Sequence, residues 1–354
     1  MTPKVRTVLG DIDPSSMTGT LPHEHIFGDC DMYWYPGEDP RANPDRQATP
    51  TVDNLWHWME NPVANRGNLH LSDEQDAIHE LSVLPDLGVN TVVNLSPIDM
   101  GRNVTGLQAA SRATNVNIVA GSSYYVAASL SDEVKSQAQD AITQRIVDDI
   151  TVGMDGTDVR AGIVGEVGLS WPLEPEEERV LAASVAAHLE TGAALTIHNP
   201  YYAPGIGALR DIAGRIEKLG ADMTRVVMGH CDGFARDPQF LDLVPDLGCL
   251  VELDMFAYPS GYEPEADFTY PSDETRVNAI LGMVEAGLAH RLLISHDVMF
   301  KTTLQKFGGH GYGYIHRMIL PWLSRKGVSD DAIEQITVRN ARELLPLRPA
   351  RATN

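Results

Sequence analysis

The sequence predicts a closed (β/α)8 barrel, the TIM-barrel class of α/β protein. Two observations carry this. Short apolar runs alternate with amphipathic helical stretches, and eight such runs can be counted. Continuous apolar strands separated by helices indicate a parallel sheet buried on both faces. No glycine-rich nucleotide-binding loop accompanies them, which favours a closed barrel over an open sheet. The length of 354 residues suits one barrel with insertions.

The first strand is expected at 20–25. The others follow at 90–95 (NTVVNL), 117–121 (NIVAG), 162–166 (GIVGE), 194–198 (ALTIH), 225–230 (RVVMGH), 249–253 (CLVEL) and 292–296 (LLISH). Helices are expected between them, at 74–87, 106–114, 131–150, 175–191, 205–219, 238–247 and 273–286. No boundary divides the chain, so residues 1–354 read as one domain, with 1–19 an N-terminal extension. Residues 28–69 form the longest irregular insert, rich in Pro, Asp, Trp and Tyr. It reads as a long loop after strand 1, on the face where loops carry function. Its aromatic residues Tyr33, Trp34, Trp56 and Trp58 could lid a pocket or pack at a subunit interface.

Composition excludes several classes. The net charge is −22, which argues against nucleic-acid binding and against an anionic membrane surface. A solvated acidic surface is the simpler reading. Cys30, Cys231 and Cys249 include no CxxC pair, so neither a disulfide framework nor a thiolate zinc site is expected. No apolar leader and no stretch of roughly 20 apolar residues is visible, so a cytoplasmic protein is expected.

In such barrels the active site lies at the C-terminal ends of the strands. Here five strand ends finish in metal-ligand residue types: His23 and His25 on the first, Glu166 on the fourth, His198 on the fifth, His230 on the sixth and Asp297 on the eighth. Residues i and i+2 of a strand share a side, so His23 and His25 can face one ion. Imidazole nitrogen suits zinc and similar ions, and a carboxylate can bridge two of them. Taken singly, each has a plainer reading: a core histidine, a buried salt-bridge partner, or for Asp297 a helix N-cap. Six together at barrel strand ends point to a metal centre. His296, next to Asp297, should point away from it by strand alternation.

The chain resembles the phosphotriesterase-like family of the amidohydrolase superfamily, and the resemblance runs over nearly its whole length. It rests on GDIDPSSMTGTLPHEH, GEVGLSWPLEPEEERVLAA, LTIHNP, VVMGHCD, ISHDVMFKTTLQKFGGHGYGYI and VRNARELL. The resemblance implies that His23, His25 and Asp297 bind the more buried of two divalent ions and that His198 and His230 bind the more exposed one. The residue ending strand 4 would bridge them. Many members carry a carboxylated lysine there; Glu166 supplies the carboxylate directly, as in the glutamate-bridged phosphotriesterase-related subgroup. Relatives are often homodimers, so a homodimer is expected. Two departures, Tyr314 where many relatives have histidine and Ala341 in place of the commoner proline, touch no proposed ligand.

The expected activity is hydrolysis of a carboxylic ester, lactone or amide of a small molecule by a metal-bridging hydroxide. Asp297 would serve as proton acceptor and donor. Zinc is the first choice of metal; manganese, cobalt or iron fit the same donors. The alternatives are a phosphotriesterase or phosphodiesterase, and a non-catalytic metal-stabilised binding protein. Three substrate contacts are expected. Tyr124 and Tyr125, after strand 3, could line the pocket. Lys301, in the acid-free stretch 298–329, could pair with an anionic substrate group.

Overall fold

The computed structural model describes residues 3–258, 261–263 and 267–349. Eight parallel strands form one sheet in sequence order. They are β1 (Thr20–Glu24), β2 (Thr91–Asn94), β3 (Asn117–Ser122), β4 (Ile163–Gly168), β5 (Ala194–His198), β6 (Val226–Met228), β7 (Leu250–Leu253) and β8 (Leu292–Ile294). The seam between β8 and β1 is closed just beyond the ladder. There Asp297 N donates to His23 O (3.2 Å), and His23 N donates to Ser295 Oγ (3.1 Å).

Glu24 completes the seam. Its buried carboxylate accepts from Ser295 Oγ, His296 N, His296 Nδ1 and Val298 N. The period of two sends Glu24 away from His23 and His25 and into this clasp.

Helices follow as the sequence pattern requires: α1 (Glu74–Leu81), α2 (Val104–Thr114), α3 (Gln139–Thr151), α4 (Pro175–Thr191), α5 (Ile206–Lys218), α6 (Phe240–Leu247) and α7 (Asp273–Glu285). The stretch expected as one helix at 131–150 is two. A short helix, Asp132–Ser136, ends at Gln137 and Ala138, whose extended backbone separates it from α3. The capping box of α4 also acts at long range. Buried Glu177 accepts from Ser170 N, Ala127 N and Glu174 N, tying the loops after β3 and β4 to one helix start.

The core has two layers. The larger lies between strands and helices, with Val92, Ile118, Val164, Leu195 and Met228 packing outward. The smaller fills the barrel, where Val93, Val119, Ile163, Val227 and Leu293 meet Val5 and Met17 from the N-terminus and Leu344 and Leu345 from the C-terminus. This apolar plug closes the lower end, opposite the strand ends that carry the candidate ligands.

The 28–69 insert is not a bare loop. Gly28–Asp29 pairs antiparallel with His70–Leu71, and a short helix spans Leu55–Glu60. Asp31 gathers Arg46, Arg66 and His70 Nε2 around one carboxylate, and Trp58 is buried. Arg66 and His70 hold the Asp31 carboxyl below its usual range, although burial pushes it upward. Among the described residues, no helix is long and apolar enough to cross a membrane.

Candidate metal centre

The six side chains expected at the strand ends converge at the upper mouth of the barrel. His23, His25 and Asp297 offer donor atoms that lie within 4.8 Å of one another, and so do Glu166, His198 and His230. Glu166 stands between the two groups. Its Oε1 is 2.9 Å from His230 Nε2, 3.0 Å from His198 Nδ1 and 3.3 Å from His23 Nε2, while Oε2 is 3.7 Å from His25 Nε2. Asp297 Oδ1 lies 3.2 Å from His25 Nε2.

Local backbone geometry aims these groups. His230 and Asp297 both have left-handed backbones, with φ of 51° and 52°. That region is unfavourable for a residue with a side chain, and such strain clusters at functional sites. Gly165, with φ of 135°, precedes Glu166; a Cβ there would meet Thr196 O at 2.8 Å. Only glycine lets β4 lie this close to β5, and the ladder register shifts at the same place.

Three imidazoles are held from behind. His25 Nδ1 meets Ser96 Oγ at 3.0 Å, His23 Nδ1 meets Glu252 Oε2 at 3.2 Å, and His230 Nδ1 meets Asp254 Oδ1 at 2.9 Å. Their Nε2 atoms therefore face the centre, the arrangement that fixes the tautomer of a ligating histidine. His198 faces it with Nδ1, and the Tyr125 hydroxyl lies 2.9 Å from that nitrogen.

Asp254, beyond β7, went unpredicted. Besides holding His230 it lies 3.2 Å from His23 Nδ1, so one carboxylate orients a histidine from each group. Asp254 is itself fixed through Asp232, which accepts from the backbone N–H groups of Asp254 and Met255 and pairs with buried Arg276. The signal was present: Glu252 and Asp254 repeat the i, i+2 spacing of His23 and His25 at the only late strand end given no role.

The electrostatics favour a cation. Burial pulls His23 and His230 down, but neighbouring carboxylates prevail and hold both imidazoles well above their ordinary value: Glu166 then Asp254 for His23, Asp254 foremost for His230. Burial pushes Glu166 up, yet His23 and His198 draw it well below the usual carboxylate range. Burial foremost, with the Asp254 charge adding to it, lifts Glu252 to about 7 against the pull of His23 and His230. Protons thus balance a nest of buried carboxylates. Within it, His23 Nε2, Glu166 Oε2 and Asp297 Oδ1 make no hydrogen bond. A buried polar atom left unpaired costs about 1–3 kcal/mol, so three in one cluster are a strong departure. Nitrogen and carboxylate oxygen donors of this kind suit zinc and its neighbours. The residues present fit divalent metal.

The other expected contacts divide. Tyr125 lines the cavity above the centre, and Tyr33 donates to its hydroxyl at 2.8 Å. Tyr124, the next residue along, turns outward and packs in the layer between strands and helices. Lys301 is not brought to the site. The chain turns into the helical turn Lys301–Thr303, and Nζ donates to Ala48 O at 3.1 Å, beneath the long insert. Lys301, expected as a contact for an anionic group, instead ties two loops together and is not among the residues that line the cavity above the centre. His296 points away from the centre, toward Glu24 and Ile315 N.

The cavity above the centre measures about 460 Å³. The insert supplies one wall with Tyr33, Met59 and Pro62; the loops after β5, β7 and β8 supply Tyr201, Tyr258 and Phe300.

Known proteins agree with this geometry. The model of the phosphotriesterase family matches residues 3–345. A phosphotriesterase-related protein of Nematostella vectensis is 34% identical over 349 residues, covering 97% of this chain and 98% of the relative. An N-acetyltaurine hydrolase of Bos taurus is 32% identical over 350 residues, 98% of each chain. Among solved structures, a resiniferatoxin-binding protein from Rhodobacter sphaeroides superposes with a TM-score of 0.91 at 31% identity, covering 98% of this chain and 96% of that one. A barrel with these strand-end residues, matched over nearly its full length, belongs to the phosphotriesterase family and is a metal-dependent hydrolase.

Proposed function

We propose that this protein is a binuclear amide hydrolase that removes the acyl group from a small N-acyl amine. The observation that carries the reading is the position of Glu166 between two donor groups, each with three ligand atoms in reach. His23, His25 and Asp297 would hold one divalent ion, His198 and His230 the other, with Glu166 shared; zinc is our first choice of metal. Two such ions would lower the pKa of a shared water and polarise the scissile carbonyl.

The protein's own groups would do the rest. Asp297 Oδ1, free of hydrogen bonds, would take a proton from the attacking water and return it to the departing amine. The Tyr125 hydroxyl, held by Tyr33, would donate to the acyl oxygen. Burial holds that phenol well above its ordinary pKa, so it stays protonated. Asp254, Glu252 and Ser96 orient the imidazoles. The amide assignment rests on the full-length similarity to an N-acetyltaurine hydrolase.

A panel of N-acyl amines, lactones and one neutral aryl phosphotriester, assayed with metal-loaded protein, tests this. Amides should exceed the triester in kcat/KM by about a hundredfold or more, and Asp297→Asn should lower kcat by about 10²–10⁴. A preferred triester, or full amide turnover by an Asp297→Asn protein still holding two ions, overturns the reading.

A further inference from the structure

The cavity walls carry a charge pattern that the metal centre does not use. Away from the centre its lining includes Tyr201, Tyr258, Tyr270 and Glu263. The Tyr201 hydroxyl donates to Glu263 Oε2 at 2.9 Å, and Tyr270 donates to the same oxygen. Tyr258 stacks on Tyr270 with ring centroids 4.4 Å apart. Tyr201 joins this group to the centre, since its ring lies 6.2 Å from that of His198 and 6.1 Å from that of His230.

Positive charge is scarce here. The lining holds the carboxylates Asp39, Glu60, Glu263 and Asp297 and one guanidinium, Arg41. That guanidinium is already engaged: Nε lies 2.9 Å from Asp39, Nη2 lies 3.6 Å from Glu60, and the group covers the Trp56 ring. Lys301 is spent on Ala48. Among the described residues of this lining no other Lys or Arg faces this end; Lys135 lines the adjoining cavity, which shares Tyr201 and Glu263 but also holds Glu174 and Glu176.

We infer that the outer half of the cavity is a subsite for a cation, with Glu263 as counter-ion and Tyr201, Tyr258 and Tyr270 as its aromatic wall. Aromatic faces attract ammonium groups through their quadrupole, most strongly where water is excluded. The hydroxyls of Tyr201 and Tyr270 both donate to Glu263 and keep it in place. Resting on the amide-hydrolase reading, this defines the substrate class: an N-acyl amine whose amine portion bears an ammonium group a short spacer from the scissile bond. It sets this chain apart from the N-acetyltaurine hydrolases it resembles, whose named substrate bears an anion.

The test compares three N-acetyl amides of matched length, ending in an ammonium, a methyl or a sulfonate group, with metal-loaded wild type and Glu263→Gln. The ammonium substrate should lead the sulfonate in kcat/KM by about tenfold or more, chiefly through KM, and that ratio should collapse by a similar factor in Glu263→Gln. Because the readout is a ratio within one protein, partial misfolding of the variant does not distort it. In parallel, tetramethylammonium binding to both proteins is measured by calorimetry, with about tenfold weaker binding expected for Glu263→Gln. A preference for the sulfonate, or equal tetramethylammonium affinity in the two proteins, overturns the inference. Absence of all amide turnover alongside Glu263-dependent tetramethylammonium binding overturns the amide reading while leaving the cation subsite standing.

Discussion

At the scale of single residues, the six strand-end positions were legible because each is a rare residue type where a barrel strand must end. Asp254 was not legible in the same way, since its role shows only when two histidines from distant strands meet over it. It is fully buried, and it holds His23 and His230 together. Replacing it by Asn keeps the shape and removes the charge that steadies both imidazoles. Asp254→Asn should weaken metal binding by about 10–100-fold, read by competition with a chromogenic chelator. Unchanged affinity would deny Asp254 this role. Tyr124 and Tyr125 show the limit of reading loops: two adjacent tyrosines looked equivalent, and the alternation of an extended chain sends one to the site and the other into the core.

At the scale of elements, strands and helices were legible from hydrophobic period, while their joints were not. The break at Gln137 and Ala138 leaves no apolar signature, and the short elements within 28–69 follow from long-range pairing with His70–Leu71. The position of Lys301 was not legible for a related reason. A charge pattern gives sequence proximity to Asp297, but the turn after β8 decides where Nζ lies. Lys301→Met should therefore cost about 1 kcal/mol of stability in denaturant melts and leave KM for an anionic amide as it is; a raised KM would restore the anion-binding role. Four donors at the β1–β8 seam converge on Glu24, so Glu24→Ala should cost about 3–5 kcal/mol by leaving them buried and unpaired. A variant as stable as wild type would show that the barrel closes without this clasp.

The C-terminal segment also sets a pH response. Burial foremost, with His296 adding to it, lowers His316 to about 4 from an ordinary value of 6.5. The fold thus favours the neutral ring. Its contribution is complete above pH 6.5 and is lost as pH falls toward 4, because the unfolded chain then binds the extra proton. The loss amounts to about 3 kcal/mol at most. His316→Gln should flatten this part of the stability–pH curve, and an identical acid slope in the variant would locate the sensitivity elsewhere.

At the scale of the whole molecule, the barrel separates two tasks. Its lower interior is apolar and sealed by the chain ends through Val5, Met17, Leu344 and Leu345, which makes it a rigid base. Its upper end collects buried carboxylates and imidazoles whose protonation states compensate one another. Such a nest is expensive unless cations fill it, so the fold is built around metal rather than merely decorated by it. The fold class was legible because eight repeated units each repeat the same period. The substrate was not, because the insert and three loops that shape the cavity come from distant parts of the chain. The most direct test is a metal titration of chelator-stripped protein, with bound ion and N-acyl amine hydrolysis followed together. The account predicts two tightly bound equivalents per chain and activity that returns only as the second site fills; saturation at one equivalent, or amide turnover by the stripped protein, would contradict it.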